Sequence, residues 1–163
     1  MTPEEYYAYI ESLAEKHAMV LHTEQQRHYF RGELEEFYTD LRNKVHFPAV
    51  IAESFELSYI DEEKTRETSF IIANSYKGSQ NWPNIYASMA LCERIGDEFL
   101  RRMLSDAEDS DTICANIEPV SAIPLLDEQH LYVGVRYTIR VESAFDYSVD
   151  EEQWLDLSIH NID

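Results

Sequence analysis

Between Phe47 and Val141 the hydrophobic period runs from two to 3.6 and back to two, which confines the chain to a layered α+β fold. Two alternating segments come first, Phe47–Asp61 and Thr68–Tyr76. In the first, Ile51, Phe55, Leu57 and Tyr59 alternate with Ala52, Ser54, Glu56 and Ser58, and Glu53 is the one exception on the apolar side. The charged stretch Asp61–Arg66 reads as the hairpin loop between them. It carries no Asn-Gly or Asp-Gly pair, so a loop longer than two residues is expected. Ser69–Asn74 forms the return strand, and the polar residues Lys77–Asn81 cross to a helix.

That helix runs from about Pro83 to Leu104. Ile85, Met89, Cys92, Ile95, Phe99 and Met103 make one stripe, widened by Leu100, with Glu93, Arg94, Glu98, Arg101 and Arg102 on the other side. Gly96, inside the helix, marks a place where another element packs closely. An acidic loop, Ser105–Asp111, follows. Ile113, Ala115 and Ile117 then alternate, and Pro119 and Pro124 bracket a loop reaching His130. In the closing strand Leu131, Val133, Val135, Tyr137, Ile139 and Val141 face one way. Tyr132, Gly134, Arg136, Thr138, Arg140 and Glu142 face the other. One buried and one polar face describe an antiparallel sheet covered by helix on one side.

Upstream, Thr2, Pro3 and Glu5 spell a helix start: a cap, a proline at the first position and a capping box. Tyr6, Ile10, Leu13, Ala14 and His17 share the helix's apolar face, and it fades near Val20. His22–Tyr29 is polar and has no period. Leu34, Phe37, Tyr38 and Leu41 predict a second helix over Gly32–Asn43, ended before Pro48. The expected architecture is α+β: a mostly antiparallel sheet of four or more strands, packed on one face by a long amphipathic helix, with N-terminal helices. We read one domain over 1–163, with N-terminal helices at 3–43, an αβ core at 47–142 and a C-terminal tail at 143–163. In that tail Val149–Trp154 reads as a one-turn helical cap that delivers Trp154 to a groove, here or on a neighbour.

Charge narrows the function classes. The 163 residues hold 32 Asp and Glu against 13 Lys and Arg, a formal charge of −19. Such a chain repels phosphate wherever salt does not screen it, and no basic patch supports sequence-independent nucleic-acid binding. The plain meaning is a solubilised surface. An acidic chain can also mimic DNA and occupy a nucleic-acid enzyme, or line a channel through which DNA slides without sticking. Met1–Glu5 has no basic or apolar signal-peptide region, and no apolar stretch is long enough for a membrane helix.

No motif for catalysis stands out. Cys92 and Cys114 form no CxxC pair and read as reduced and structural. His17, His22, His28, His46, His130 and His160 are scattered, and none has the spacing of a helical metal pair. Glu35-Glu36, Glu62-Glu63 and Glu151-Glu152 are adjacent, so their side chains diverge rather than form a dyad. Asp106–Asp111 lacks the central Gly and closing Glu of a calcium loop. There is no nucleophile elbow and no glycine-rich phosphate loop. We therefore expect no catalytic residues, no cofactor and no metal, although a small α+β enzyme with an unrecognised site is an alternative. Arg136 and Arg140, on the polar face of the last strand, have two readings. One is cross-strand ion pairing with Glu56 or Glu142; the other is a subunit interface.

The order helix, hairpin, helix, hairpin resembles the tail terminator and tail-completion proteins of long-tailed bacteriophages. The residues carrying the resemblance are Phe47–Val50, Ser69–Ile72, the helix Ile85–Met103, Tyr132–Tyr137 and Val149–Trp154. It is similar above all to the versions found in phages or prophages of Bacteroidetes. The resemblance implies a non-catalytic virion protein, assembled in the host bacterial cytoplasm, that forms a ring at the head–tail joint, often hexameric in such families. Its partners would be copies of itself and other tail or neck proteins. DNA would pass through the ring without specific binding, and no membrane is involved. Glu56, Arg136, Arg140 and Trp154 are the candidate subunit interface. An acidic DNA mimic that inhibits a nucleic-acid enzyme is the alternative.

Overall fold

A computed structural model describes residues 2–32, 37, 45–60, 63–78, 80–108, 117–144 and 148. The elements are α1 (Pro3–Lys16), β1 (Tyr29–Arg31), β2 (Ala49–Ala52), β3 (Glu56–Ile60), β4 (Glu63–Ser75), α2 (Trp82–Ala107), β5 (Ile117–Asp127) and β6 (Tyr132–Ala144). They form an α+β fold with one sheet in the order β1-β2-β4-β6-β5, and β3 pairs with β4 off that path. Only the β1–β2 pair is parallel.

Helix α1 begins as its sequence dictates. Thr2 accepts the Glu5 amide, and the Glu5 carboxylate accepts the Thr2 amide, which satisfies two otherwise orphaned donors. Its buried face, Tyr6, Ile10, Leu13 and Ala14, lies on one side of the sheet. The Tyr6 hydroxyl donates to the Ser69 carbonyl at 2.9 Å, so the largest side chain of that face reaches β4 with its polar tip satisfied. Asn81 caps α2, whose buried stripe is Ile85, Ser88, Cys92, Ile95, Gly96, Phe99 and Met103. Both helices cover the same face of the sheet, where Val50, Ala52, Phe70, Ile72, Val133, Val135, Tyr137 and Ile139 complete the main core.

The opposite face is not uniformly polar. Phe30, Phe37, Ala49, Ile51, Ile71, Ala73 and Tyr132 form a second buried cluster at one end of it. Tyr132, placed on the polar side by simple alternation, is 2% exposed because Phe37 packs edge-on against its ring. Leu131, placed on the core side, is instead exposed. It has a positive φ of 55° in the β5–β6 turn, so it belongs to the turn and not to the strand.

Four further boundaries differ from the sequence reading. The first alternating segment is two strands, broken at Glu53–Phe55, the place where Glu53 interrupts the pattern. The Glu53 amide still donates to the Ser69 carbonyl, and the Thr68 hydroxyl donates to the Glu53 and Ser54 carbonyls, so the break is pinned to β4. The expected long loop at Asp61–Arg66 is shorter, because Ile60 pairs with Glu63 and residues 63–66 already belong to β4. Their charged side chains stay in the ladder because β4 pairs with β6 over its whole length, from Glu63 opposite Ala144 to Ser75 opposite Tyr132. The proline-bracketed loop is strand β5. An edge strand tolerates Pro119 and Pro124 because only one of its sides must donate, and the register slips between Pro119 and Ser121. Gly32, expected to open a helix, closes β1 with a φ of 101°. Of the expected helix over Gly32–Asn43 only Gly32 and Phe37 are described; its remainder lies outside the described residues, as do Ile113–Asn116.

Candidate subunit interface on the outer face

The face of the sheet away from the helices carries the candidate interface residues beside the second cluster. Register places Arg136 opposite Ile71 and Ile123, and Arg140 opposite Glu67 and Glu118. Residues directly opposite share a face, so these guanidinium groups lie over β4 and β5. Arg136 bonds the Glu53 carboxylate across the sheet. Arg140 reaches Glu67 at 3.2 Å and Glu118 at 3.9 Å. The expected partners Glu56 and Glu142 are not the ones used. Glu53 takes Arg136 because the break after β2 turns that carboxylate over the sheet. Glu142 stands opposite Thr65, one pair away from Arg140 on the same face. The Ser69 and Thr138 hydroxyls meet at 3.0 Å between the two arginines.

The two pairs differ in kind. Arg140 and Glu67 are each more than a third exposed, so their pair contributes about 0.2–1 kcal/mol. Glu53 is less accessible, and the buried Nε of Arg136 has no hydrogen-bond partner among the described residues. That unmet donor lies beneath the face and not at its surface. Glu56 stands opposite Glu67 and is exposed, with no ion pair among the described residues. Arg140 relieves the like-charge contact on the Glu67 side alone. Thus Arg136, Arg140 and Glu56 share one face, whereas Trp154 lies outside the described residues.

Sequence reasoning missed the exposed apolar residues at the two edges of the sheet. On β3, Leu57 and Tyr59 are about half exposed, as are Val120 and Ile123 on β5. Both strands have an open edge among the described residues, β3 on one side of the sheet and β5 on the other. Alternation on β3 was legible. The exposure of β5 was hidden because its prolines disguised it as a loop.

A cleft of about 420 Å³ lies elsewhere, between α1 and β1, lined by Glu11, His22, Thr23, Glu24, Arg27, Tyr29 and Arg31. The His28 amide donates to Nδ1 of His22 at 3.1 Å, so neutral His22 carries its proton on Nε2, which faces Glu11 at 3.8 Å. Its Nδ1 is thus taken by a backbone donor. No group of three or more His, Cys, Asp or Glu able to hold a metal occurs among the described residues. Burial pushes the Cys92 thiol up to about 12, which keeps it protonated and inert; Cys114 lies outside the described residues. Among the described residues no helix is long and apolar enough to cross a membrane. No family model matches the chain, and no curated protein matches it.

Proposed function

We propose that the protein is a non-catalytic virion subunit that assembles head-to-tail into a ring at the phage head–tail joint, as a tail terminator or neck component. The observation that carries the reading is a pair of partly apolar strand edges, open among the described residues, on opposite sides of one sheet. A ring needs two different, complementary surfaces on each subunit. Here the β3 edge meets the β5 edge of the next copy, and main-chain pairing extends the sheet across the joint. Glu56 on one copy and the partly exposed Arg136 side chain on the next add charge complementarity. The formal charge of −19 keeps DNA from adhering to the ring.

Light scattering of the purified chain at micromolar concentration and across salt tests this reading, followed by electron microscopy. A discrete closed oligomer supports it. A strict monomer that instead captures a nucleic-acid enzyme overturns it in favour of an acidic inhibitor.

A further inference from the structure

His28 and His46 meet where the chain enters β1 and β2. The His46 amide donates to the Arg27 carbonyl at 3.0 Å, and the His28 amide donates to Nδ1 of His22, so both backbone segments are pinned. The two imidazole rings lie 5.5 Å apart between centroids, with their planes tilted by 39°. His28 is 7% exposed, and its Nδ1 lies 2.8 Å from the Pro48 carbonyl. A carbonyl only accepts, so Nδ1 carries the proton and Nε2 of the neutral ring is a bare lone pair. A backbone carbonyl that fixes the tautomer in this way is a common outer partner of metal-binding histidines.

Nδ1 of His46 is buried and has no hydrogen-bond partner among the described residues. An orphaned group of this kind calls for a water or an ion. Nε2 of His28 likewise makes no hydrogen bond among the described residues. An ion of the zinc class sits ~2.0–2.1 Å from an imidazole nitrogen, and two rings on one tetrahedral centre then have centroids ~5.2 Å apart. The 5.5 Å between these rings fits that span. His22 adds no third ligand, because its Nδ1 accepts the His28 amide and its Nε2 faces Glu11. With no third His, Cys, Asp or Glu grouped here among the described residues, the ion keeps open positions. Helical spacing in the sequence does not reveal this pair, because neither histidine lies on a helix.

We propose that Nε2 of His28 and Nδ1 of His46 bind one divalent transition ion of the zinc, copper or nickel class, with water in the remaining positions. Imidazole nitrogens favour these ions over Mg²⁺ and Ca²⁺, which take oxygen ligands. The formal charge of −19 gathers divalent cations of every kind near the chain, so selectivity and not mere uptake identifies the site. The pair is separate from the β3 and β5 edges and does not depend on ring formation.

A Zn²⁺ titration of the full-length, metal-stripped, ¹⁵N-labelled chain tests the proposal, at neutral pH in excess Mg²⁺, read at the imidazole nitrogens by NMR. The expected result is uptake of one ion, with Nε2 of His28 and Nδ1 of His46 shifting together while the rings of His17 and His130 stay in place. His46→Gln and His28→Asn, the second of which keeps a donor for Pro48, should each weaken uptake at least tenfold. Zn²⁺ should also raise the melting point of the parent and not that of His46→Gln. Movement of only one of the two rings, loss of the shifts to Mg²⁺, or unchanged affinity in a folded His46→Gln variant would each overturn the proposal.

Discussion

The ring of Tyr137 occupies the space that any side chain at Gly96 would need. Tyr137, on β6, is 1% exposed, stacks on Phe70 at 5.1 Å and donates its hydroxyl to the Glu93 carbonyl at 2.8 Å. The missing Cβ at position 96 lets α2 approach the sheet closely enough for that bond. Gly96→Ala normally gains helix propensity, about 1 kcal/mol. Here the inserted methyl meets ring carbons that stacking and a hydrogen bond hold in place, and overpacking of this kind costs about 1–3 kcal/mol. We expect net destabilisation in urea unfolding, with a melting point lower by about 2–4 °C per kcal/mol. An unchanged or raised midpoint would mean that the helix shifts freely.

Acid should weaken the protein through His28. Burial lowers its pKa from 6.5, with the nearby His46 and His22 acting in the same direction, although the Pro48 carbonyl at 2.8 Å from Nδ1 partly opposes this. A folded-state pKa below the unfolded value means that the unfolded chain takes the proton first. The contribution is therefore whole above pH 6.5 and is lost as pH falls below it. Burial of His17 acts the same way. His28→Asn, which retains a donor for Pro48, should lose less stability than the parent between about pH 7 and about pH 5. Equal losses would place the acid sensitivity elsewhere.

A cap prediction has the opposite ionic origin. The Thr2 backbone and side-chain bonds hold the Glu5 carboxyl below its ordinary value of 4.5. A lowered carboxyl pKa supplies stability that is present above 4.5 and disappears as the pH drops through the folded value. Glu5→Gln should therefore be less stable than the parent at neutral pH, and the two should converge in acid. Paired thermal melts at the two pH values measure this. A difference that persists unchanged in acid would assign the effect to packing and not to the ionised cap.

How much of this could be read beforehand depended on whether neighbours or distant residues decide a position. The Thr2–Glu5 box, the α2 stripe and the close approach at Gly96 follow local rules of period and capping, and the structure has them. Strand β1 was illegible because three residues carry too little period, and its burial comes from α1 above it and from Phe37 below. Strand β5 was illegible because Pro119 and Pro124 break a strand only where both sides must donate, and edge position is a property of the whole sheet. The partners of Arg136 and Arg140 were misjudged for the same reason. Glu53 reaches Arg136 through a break between β2 and β3 that alternation registers only as one misplaced residue.

The two arginines of the outer face should respond differently to charge reversal. Arg136→Glu sets a carboxylate beside the partly shielded Glu53, with two like charges in place of a bonded pair. Losing a shielded pair in this way should cost about 1–3 kcal/mol, short of a fully buried pair because Arg136 is about a third exposed. Arg140 is as exposed and has the exposed Glu118 as a second partner. Arg140→Glu should change folding stability by no more than about 1 kcal/mol. Self-association should nevertheless fall in Arg140→Glu, because the reversed charge joins Glu56, Glu67 and Glu118 on the face proposed to meet the next copy. Urea unfolding run beside light scattering separates the two effects. If Arg140→Glu folds normally and assembles as the parent does, the outer face is not the contact between subunits, and the ring would have to close through the β3 and β5 edges alone.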